Sequence, residues 1–146
     1  MYGTPTFIRP CIPTTSKTVP AGDGWLHEPK LDGYRIQIIK EGRQVRLHSK
    51  GGYDWTKRLA SMAEALAGIA CRSAVIDGEL CFLTGIGAPD FAGLQLTLRS
   101  RQHHKLTEFA FDLLHRDGID LRQLPLTEAT PRGGRRPAAR VDRFEA

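Results

Sequence analysis

No apolar run in the 146 residues approaches the ~18 positions that a membrane-spanning helix requires. The first stretch, Met1 to Pro13, is polar and broken by proline, and it lacks the charged stub and apolar segment of a secretory signal. Cysteine is scarce. Cys11, Cys71 and Cys81 are odd in number, far apart and form no Cys-x-x-Cys pair, which argues against a disulfide framework or a zinc site and fits a reducing cytosol. His103-His104 has no carboxylate or cysteine at ligand spacing, so it reads as a polar loop rather than a metal site. Gly85-Ile86-Gly87 is too short for a phosphate loop and has no Lys-Ser or Lys-Thr after it.

What is present is the composition of a globular protein, 40% hydrophobic and 25% charged, with enough chain for one domain and too little for two. The net charge of +5 invites a nucleic-acid partner, because phosphate backbones are bound largely by Lys and Arg. That charge is unevenly spread. Five of the 21 basic residues (Arg132, Arg135, Arg136, Arg140 and Arg143) lie after Ala129 against two carboxylates, so the tail supplies +3 and the body only +2. Basicity alone therefore decides little.

Residues 1–23, rich in Pro and Thr, predict an extended lead-in that packs irregularly. From Trp25 the pattern is that of strands: Trp25–Pro29 up to a turn at Asp32-Gly33, then Tyr34–Lys40 with Ile36 and Ile38 at period two. Gln44–His48 follows, with Val45 and Leu47 in alternation. Over Thr56–Ile69 the period becomes helical, placing Leu59, Met62, Ala63, Leu66 and Ile69 on one face with Asp54 or Thr56 as N-cap. Ala74–Leu83 reads as strand broken at Asp77-Gly78, and Asp90 caps a short helix through Phe91, Leu94 and Leu98. Leu106–Leu114 is a buried strand before a turn at Asp117-Gly118, and Leu126–Glu128 begins a helix that does not develop. Mixed antiparallel strands and helices make an α+β body over 24–128. The tail, 129–146, has an Arg, Pro, Ala and Gly bias with no period, and is expected to be disordered or frame-shifted.

The most informative stretch is Glu28-Pro-Lys30-Leu-Asp32-Gly33-Tyr34-Arg35. It sets a lysine at the lip of a turn, flanked by two carboxylates and followed by an arginine. A lysine amine attacks phosphorus only when neutral, and at its ordinary pKa only about one in a thousand is neutral near physiological pH. A nearby cation such as Arg35, or desolvation, must lower that pKa. Arg35 also suits bidentate contact with phosphate. Standing alone, Lys-x-Asp-Gly is an ordinary surface hairpin; the longer Glu-x-Lys-x-Asp-Gly-x-Arg is far rarer.

That longer pattern resembles the nucleotide-binding motif of ATP-dependent DNA ligases and mRNA capping enzymes. The lead Pro20-x-Gly22-Asp23-Gly24-Trp25-Leu26-His27-Glu28 is similar to the ligase domain of bacterial ligase D-type proteins. Three further segments follow in family order. Ser49-Lys50-Gly51-Gly52-Tyr53-Asp54-Trp55-Thr56 resembles a motif usually written Ser-Arg-x-Gly, with Lys50 in place of arginine, which keeps a charge but not bidentate geometry. Val75-Ile76-Asp77-Gly78-Glu79-Leu80 resembles the motif whose glutamate meets the ribose and the metal. Phe109-Ala-Phe111-Asp112-Leu113-Leu114, running on to Asp117-Gly118-x-Asp120-Leu121-Arg122, resembles the one whose aromatic stacks on adenine.

The resemblance implies the N-terminal portion of the DNA ligase/capping enzyme nucleotidyltransferase fold, without its oligonucleotide-binding domain. It implies ATP and Mg²⁺ as cofactors, nicked double-stranded DNA as substrate, and nick sealing through a lysyl-AMP in DNA repair and recombination. Lys30 becomes the nucleophile, Glu28 the adenine contact, Arg35 a phosphate contact, Glu79 the ribose or metal contact and Phe111 the stacking ring. Ser49 and Lys50 become phosphate or DNA contacts. Other DNA end-joining proteins are the implied partners, and the bacterial cytoplasm, at the nucleoid, the implied location. The family pattern goes on to a lysine pair, whereas the last lysine here is Lys105. The expectation is therefore a truncated or frame-disrupted ligase with impaired activity. An RNA ligase or capping-type nucleotidyltransferase, and an inactive nucleic-acid-binding remnant, are the alternatives.

Overall fold

A computed structural model describes residues 6–125, together with the backbone of 139–140. One antiparallel sheet organises them. Its strands are β1 (Tyr34–Glu41), β2 (Gln44–Ser49), β3 (Ser73–Phe82), β4 (Leu106–Arg116) and β5 (Ile119–Asp120), in the order β2-β1-β3-β4-β5. A two-residue strand, β6 (Ala139–Arg140), also pairs with β4. Two helices, α1 (Ala60–Leu66) and α2 (Phe91–Ser100), and a short 3-10 helix at His103–Lys105 complete an α+β body.

Alternation decides which face the helices cover. In β1 the apolar Ile36 and Ile38 point one way and Arg35 and Gln37 the other, as the period of two demands. Ile36, Ile38, Leu47 and Leu80 form the sheet side of the core, and Leu59, Met62, Leu66, Leu94 and Leu98 cover them from the helical layer. The opposite face of β1 and β3 carries Arg35, Gln37, Asp77 and Glu79, brought level by the register Arg35↔Glu79 and Gln37↔Asp77. Phe7 and Ile8 of the N-terminal segment lie against this face: Ile8 donates to Gln37 Oε1 at 2.7 Å and accepts from Gln37 Nε2 at 2.8 Å.

Several expectations are corrected. Trp25–Pro29 is not a strand: an extended segment becomes one only when a neighbouring backbone takes up its hydrogen bonds, and no strand or bridge includes these residues. Trp25 and Leu26 are more than half exposed. The helix expected over Thr56–Ile69 is confined to Ala60–Leu66 and has no side-chain cap, because the two candidate caps are engaged elsewhere. Asp54 Oδ1 accepts from the Thr56 amide at 2.7 Å, and Thr56 Oγ1 accepts from the Leu47 amide at 2.9 Å. Its apolar face is nonetheless the one read from the sequence, with Leu59, Met62, Ala63 and Leu66 buried. Asp77-Gly78 does not break β3, which runs through all ten residues. The irregularity falls on β4 instead, at two bulges. Asp90 does cap α2, accepting from the Gly93 amide at 3.0 Å. The helix start expected at Leu126–Glu128, and the fate expected for 129–146, lie outside the described residues except for the backbone pairing of Ala139–Arg140.

Candidate nucleotide site

The polar face of β1, β3 and β4 holds a network centred on Asp77, whose carboxylate is almost fully buried. Arg35 Nη2 donates to its Oδ2 at 3.0 Å and Gln37 Nε2 to its Oδ1 at 3.1 Å. The Arg35 guanidinium also lies over the Phe111 ring, 4.7 Å from its centroid, as a cation–π pair. A bulge is what puts Phe111 there. Asp77 pairs with Asp112 and Gly78 with Ala110, so Phe111 is the extra residue, and a bulge lets two neighbours on one strand oppose a single residue. Phe111 reaches Arg35, while Asp112 feels the charges of both Asp77 and Arg35.

Glu79 sits one rung away, opposite Arg35 on β1 and Phe109 on β4. Burial raises its carboxyl above the ordinary glutamate value, while Arg35, the Gly33 amide that donates to it and Lys30 pull it back down, and Asp32 adds to the rise. Burial, then the charge of Asp77, raises Asp112 likewise, with Arg35 opposing. Gly33 is where the Lys30 loop meets the sheet. A Cβ there would overlap the Leu80 carbonyl and stand 2.9 Å from Cys81 Sγ, so only glycine lets the loop come this close.

The sequence-derived residues divide into two groups. Arg35, Glu79 and Phe111 stand together on the polar face, and Lys30 and Asp32 are near enough for their charges to act on Glu79. Lys30 itself extends into solvent, its Nζ 3.8 Å from Asp32 Oδ1. Glu28 is exposed on the loop that precedes it. Ser49 and Lys50 lie at the end of β2, beyond β1, in a turn where the Gly52 amide donates to the Ser49 carbonyl at 2.8 Å. Lys50 is exposed and Ser49 half-buried.

Gln37, Asp77 and Asp112 were not singled out from the sequence. A signal existed for the first two: Arg35-x-Gln37 and Asp77-x-Glu79 each place polar residues at strand period opposite a core-facing partner. For Asp112 there was none, since its position depends on the bulge. Among the described residues no group of three or more His, Cys, Asp or Glu forms a ready metal cage, and no helix is long and apolar enough to cross a membrane. Of the carboxylates here, Glu79 is half-buried, beside the Lys30 loop and already facing two cations. Its hard oxygens suit Mg²⁺ better than those of Asp77, which Arg35 and Gln37 occupy.

Comparison with known proteins identifies the family and the fold. A family model described as ATP dependent DNA ligase domain matches residues 11–131. The chain is 38% identical over 128 residues, 88% of its length, to the multifunctional non-homologous end joining protein LigD of Pseudomonas aeruginosa, of which it spans 15%. It is 36% identical over 115 residues, 73% of its length, to DNA ligase B of Mycobacterium tuberculosis, of which it spans 23%. Among solved structures, the ligase domain of M. tuberculosis LigD superposes with a TM-score of 0.57 at 32% identity, over 70% of this chain and 33% of that one. A mycobacterial DNA ligase D complexed with ATP and MES gives 0.55 at 30% identity, over the same shares. With the family model covering most of its length and the fold matching a ligase domain of known structure, the chain belongs to the ATP-dependent DNA ligase domain family.

Proposed function

We propose that this chain supplies the nucleotide-binding part of a bacterial ATP-dependent DNA ligase, in which Lys30 takes AMP from ATP and passes it to the 5′-phosphate at a nick. The observation that carries this reading is the convergence of the Lys30 loop with Arg35, Glu79 and Phe111 at one end of a single sheet face.

In the first step a bond forms between Lys30 Nζ and the α-phosphorus, the bond from that phosphorus to pyrophosphate breaks, and the amine loses its proton. Such transfers depend on positioning and on neutralising charge rather than on covalent help from the protein. Phe111 offers the adenine a ring face. The guanidinium already covers one face, so the base takes the other or Arg35 turns away, and turning would free it for phosphate. Mg²⁺, when bound with the triphosphate, supplies further charge neutralisation, and Glu79 is the residue that would hold it. Glu28 would address the base, and Ser49 and Lys50 the phosphates or DNA. Nicked DNA as substrate, end-joining proteins as partners and a place at the bacterial nucleoid belong to the same reading.

The test is incubation with ATP or GTP and Mg²⁺, followed by mass-spectrometric mapping of the adduct. The expected result is AMP on Lys30, absent in Lys30→Ala and not replaced by GMP. An adduct on Lys17, Lys50 or Lys57 refutes the assignment, and GMP in preference to AMP favours a capping-type enzyme.

A further inference from the structure

On the helical side of the sheet, away from Arg35 and Glu79, the chain before α1, the end of α2 and the 3-10 helix line an open cleft of about 770 Å³. Lys57, Arg58, Arg99, Arg101, His103 and His104 line it, and no carboxylate does. Lys57, Arg58, Arg99 and Arg101 are exposed, and none of them belongs to any of the four ion pairs among the described residues. Four uncompensated cations from two separate elements repel one another unless an anion joins them.

Local structure does not account for this gathering. Arg99, in the last turn of α2, complements the helix dipole there. Lys57 and Arg58 precede α1, which has no acidic residue in its first turn to offset their charge. Arg58 is held in place by its stack on Trp55, 4.8 Å from the ring centroid. Arg101 caps α2 at φ 59°, in the left-handed region that non-glycine residues seldom adopt.

From this cleft we infer that the helical layer carries a second anion site, one that holds the phosphate backbone of a nucleic acid without reading its sequence. Three guanidinium groups match phosphate geometry, and four cations spread over two elements along an open cleft suit a chain of phosphates better than a single ion. Ala60 and Leu98 are its only apolar lining residues, too few to enclose a base, which leaves backbone contact as the mode. The site stands on charge and position alone and does not depend on adenylation at Lys30.

The experiment measures binding of a short, intact, fluorescein-labelled DNA duplex by anisotropy across a salt series. Wild type is compared with Lys57→Gln/Arg99→Gln and with a charge-matched control, Lys17→Gln/Arg43→Gln. Each lost phosphate contact lowers the log–log salt slope by about 0.9, so the cleft variant should lose about 2 while the control keeps the wild-type slope. Circular dichroism verifies the folds, and the single variants Lys57→Gln and Arg99→Gln stand in should the double one unfold. Equal slopes for all three proteins, or no duplex binding by wild type at low salt, overturn the inference. So does cleft-dependent binding of tripolyphosphate or poly-glutamate tighter than that of DNA, which would mark a small-anion site or an acidic protein partner. AMP transfer to Lys30, measured in the same variants, should be unchanged, so failure here is separable from failure at the nucleotide site.

Discussion

Glu108 offers the sharpest test of the physical reading. It lies on β4 opposite Leu80, shares the core side of the sheet with Leu80 and Leu106, and is only 2% exposed. Neither of its carboxylate oxygens has a hydrogen-bond partner. Burial pushes its pKa well above the ordinary range, and the charges of Glu79 and Asp77 push it further. The folded protein thus keeps Glu108 protonated to higher pH than the unfolded chain, which ionises it near pH ~4.3. Above that pH the unfolded state binds fewer protons than the folded one, so stability falls as pH rises. The slope is at most about 1.4 kcal/mol per pH unit and vanishes once the folded-state pKa is passed. Below pH ~4.3 the full stability is present.

Glu108→Gln removes this dependence because an amide cannot ionise in either state. The amide is as poorly partnered as the neutral acid, so the two proteins should be nearly equal in stability near pH 4 and separate as pH rises, with the variant the more stable. A domain of this size shifts in Tm by about 3–5 °C per kcal/mol, so the divergence is readable in thermal melts followed by circular dichroism between pH 4 and 8. Other titrating groups are common to both proteins and cancel in the difference. Parallel curves, or a variant less stable at neutral pH, would show that Glu108 is solvated or partnered and that the reasoning is wrong. The consequence reaches the site: over the pH range in which Glu108 is neutral, it adds no negative charge behind Glu79.

Two further predictions follow from the same geometry. Gly78→Ala should destabilise by about 1–3 kcal/mol in denaturant unfolding, because the added Cβ would overlap Glu108 Oε1 and stand 2.7 Å from the Phe109 carbonyl, a backbone atom that cannot swing away. Wild-type stability in that variant would mean the strands are less closely packed than they look. Asp90→Ala should cost about 1 kcal/mol by leaving the Gly93 amide uncapped at the start of α2, whereas Asp90→Asn should restore most of it; equal losses in both would point to something other than capping.

Much of the fold was legible because the sheet obeys a local rule. Ile36/Ile38 and Val45/Leu47 alternate cleanly, so β1 and β2 are bounded within a residue of the pattern, and Asp117-Gly118 turns where its composition says it should, with Asp117 at φ 49°. Two of the misreadings arise because a residue's expected local role gave way to another partner in the fold. Asp-Gly favours a turn, yet Asp77 is drawn into the strand by Arg35 and Gln37, some 40 positions away, and Gly78 stays extended because Glu108 needs the space above it. Asp54 and Thr56 favour a helix cap, yet their oxygens accept from the backbone of their own loop and of β2. No short window along the chain sets Arg35 or Gln37 beside Asp77.

The candidate site divides along the same line, and the division bears on its chemistry. Arg35, Glu79 and Phe111 have their backbone positions fixed by ladder register and by one bulge. Lys30 and Glu28 belong to a stretch with no ladder, and Lys30 Nζ stands in solvent. What ties that stretch to the sheet is Gly33, pressed against the Leu80 carbonyl and Cys81 and donating to Glu79. On the proposed reading the nucleophile, Lys30, is three residues from Gly33, its nearest anchor on the sheet, and outside the ladder. If Lys30 takes AMP from a nucleotide and passes it to a different acceptor, as proposed, a place outside the ladder suits it, since the two reactions present their phosphates from different molecules. A lysine locked into the ladder, like Lys40 with its ammonium held by the Gly42 and Cys71 carbonyls, could not serve both.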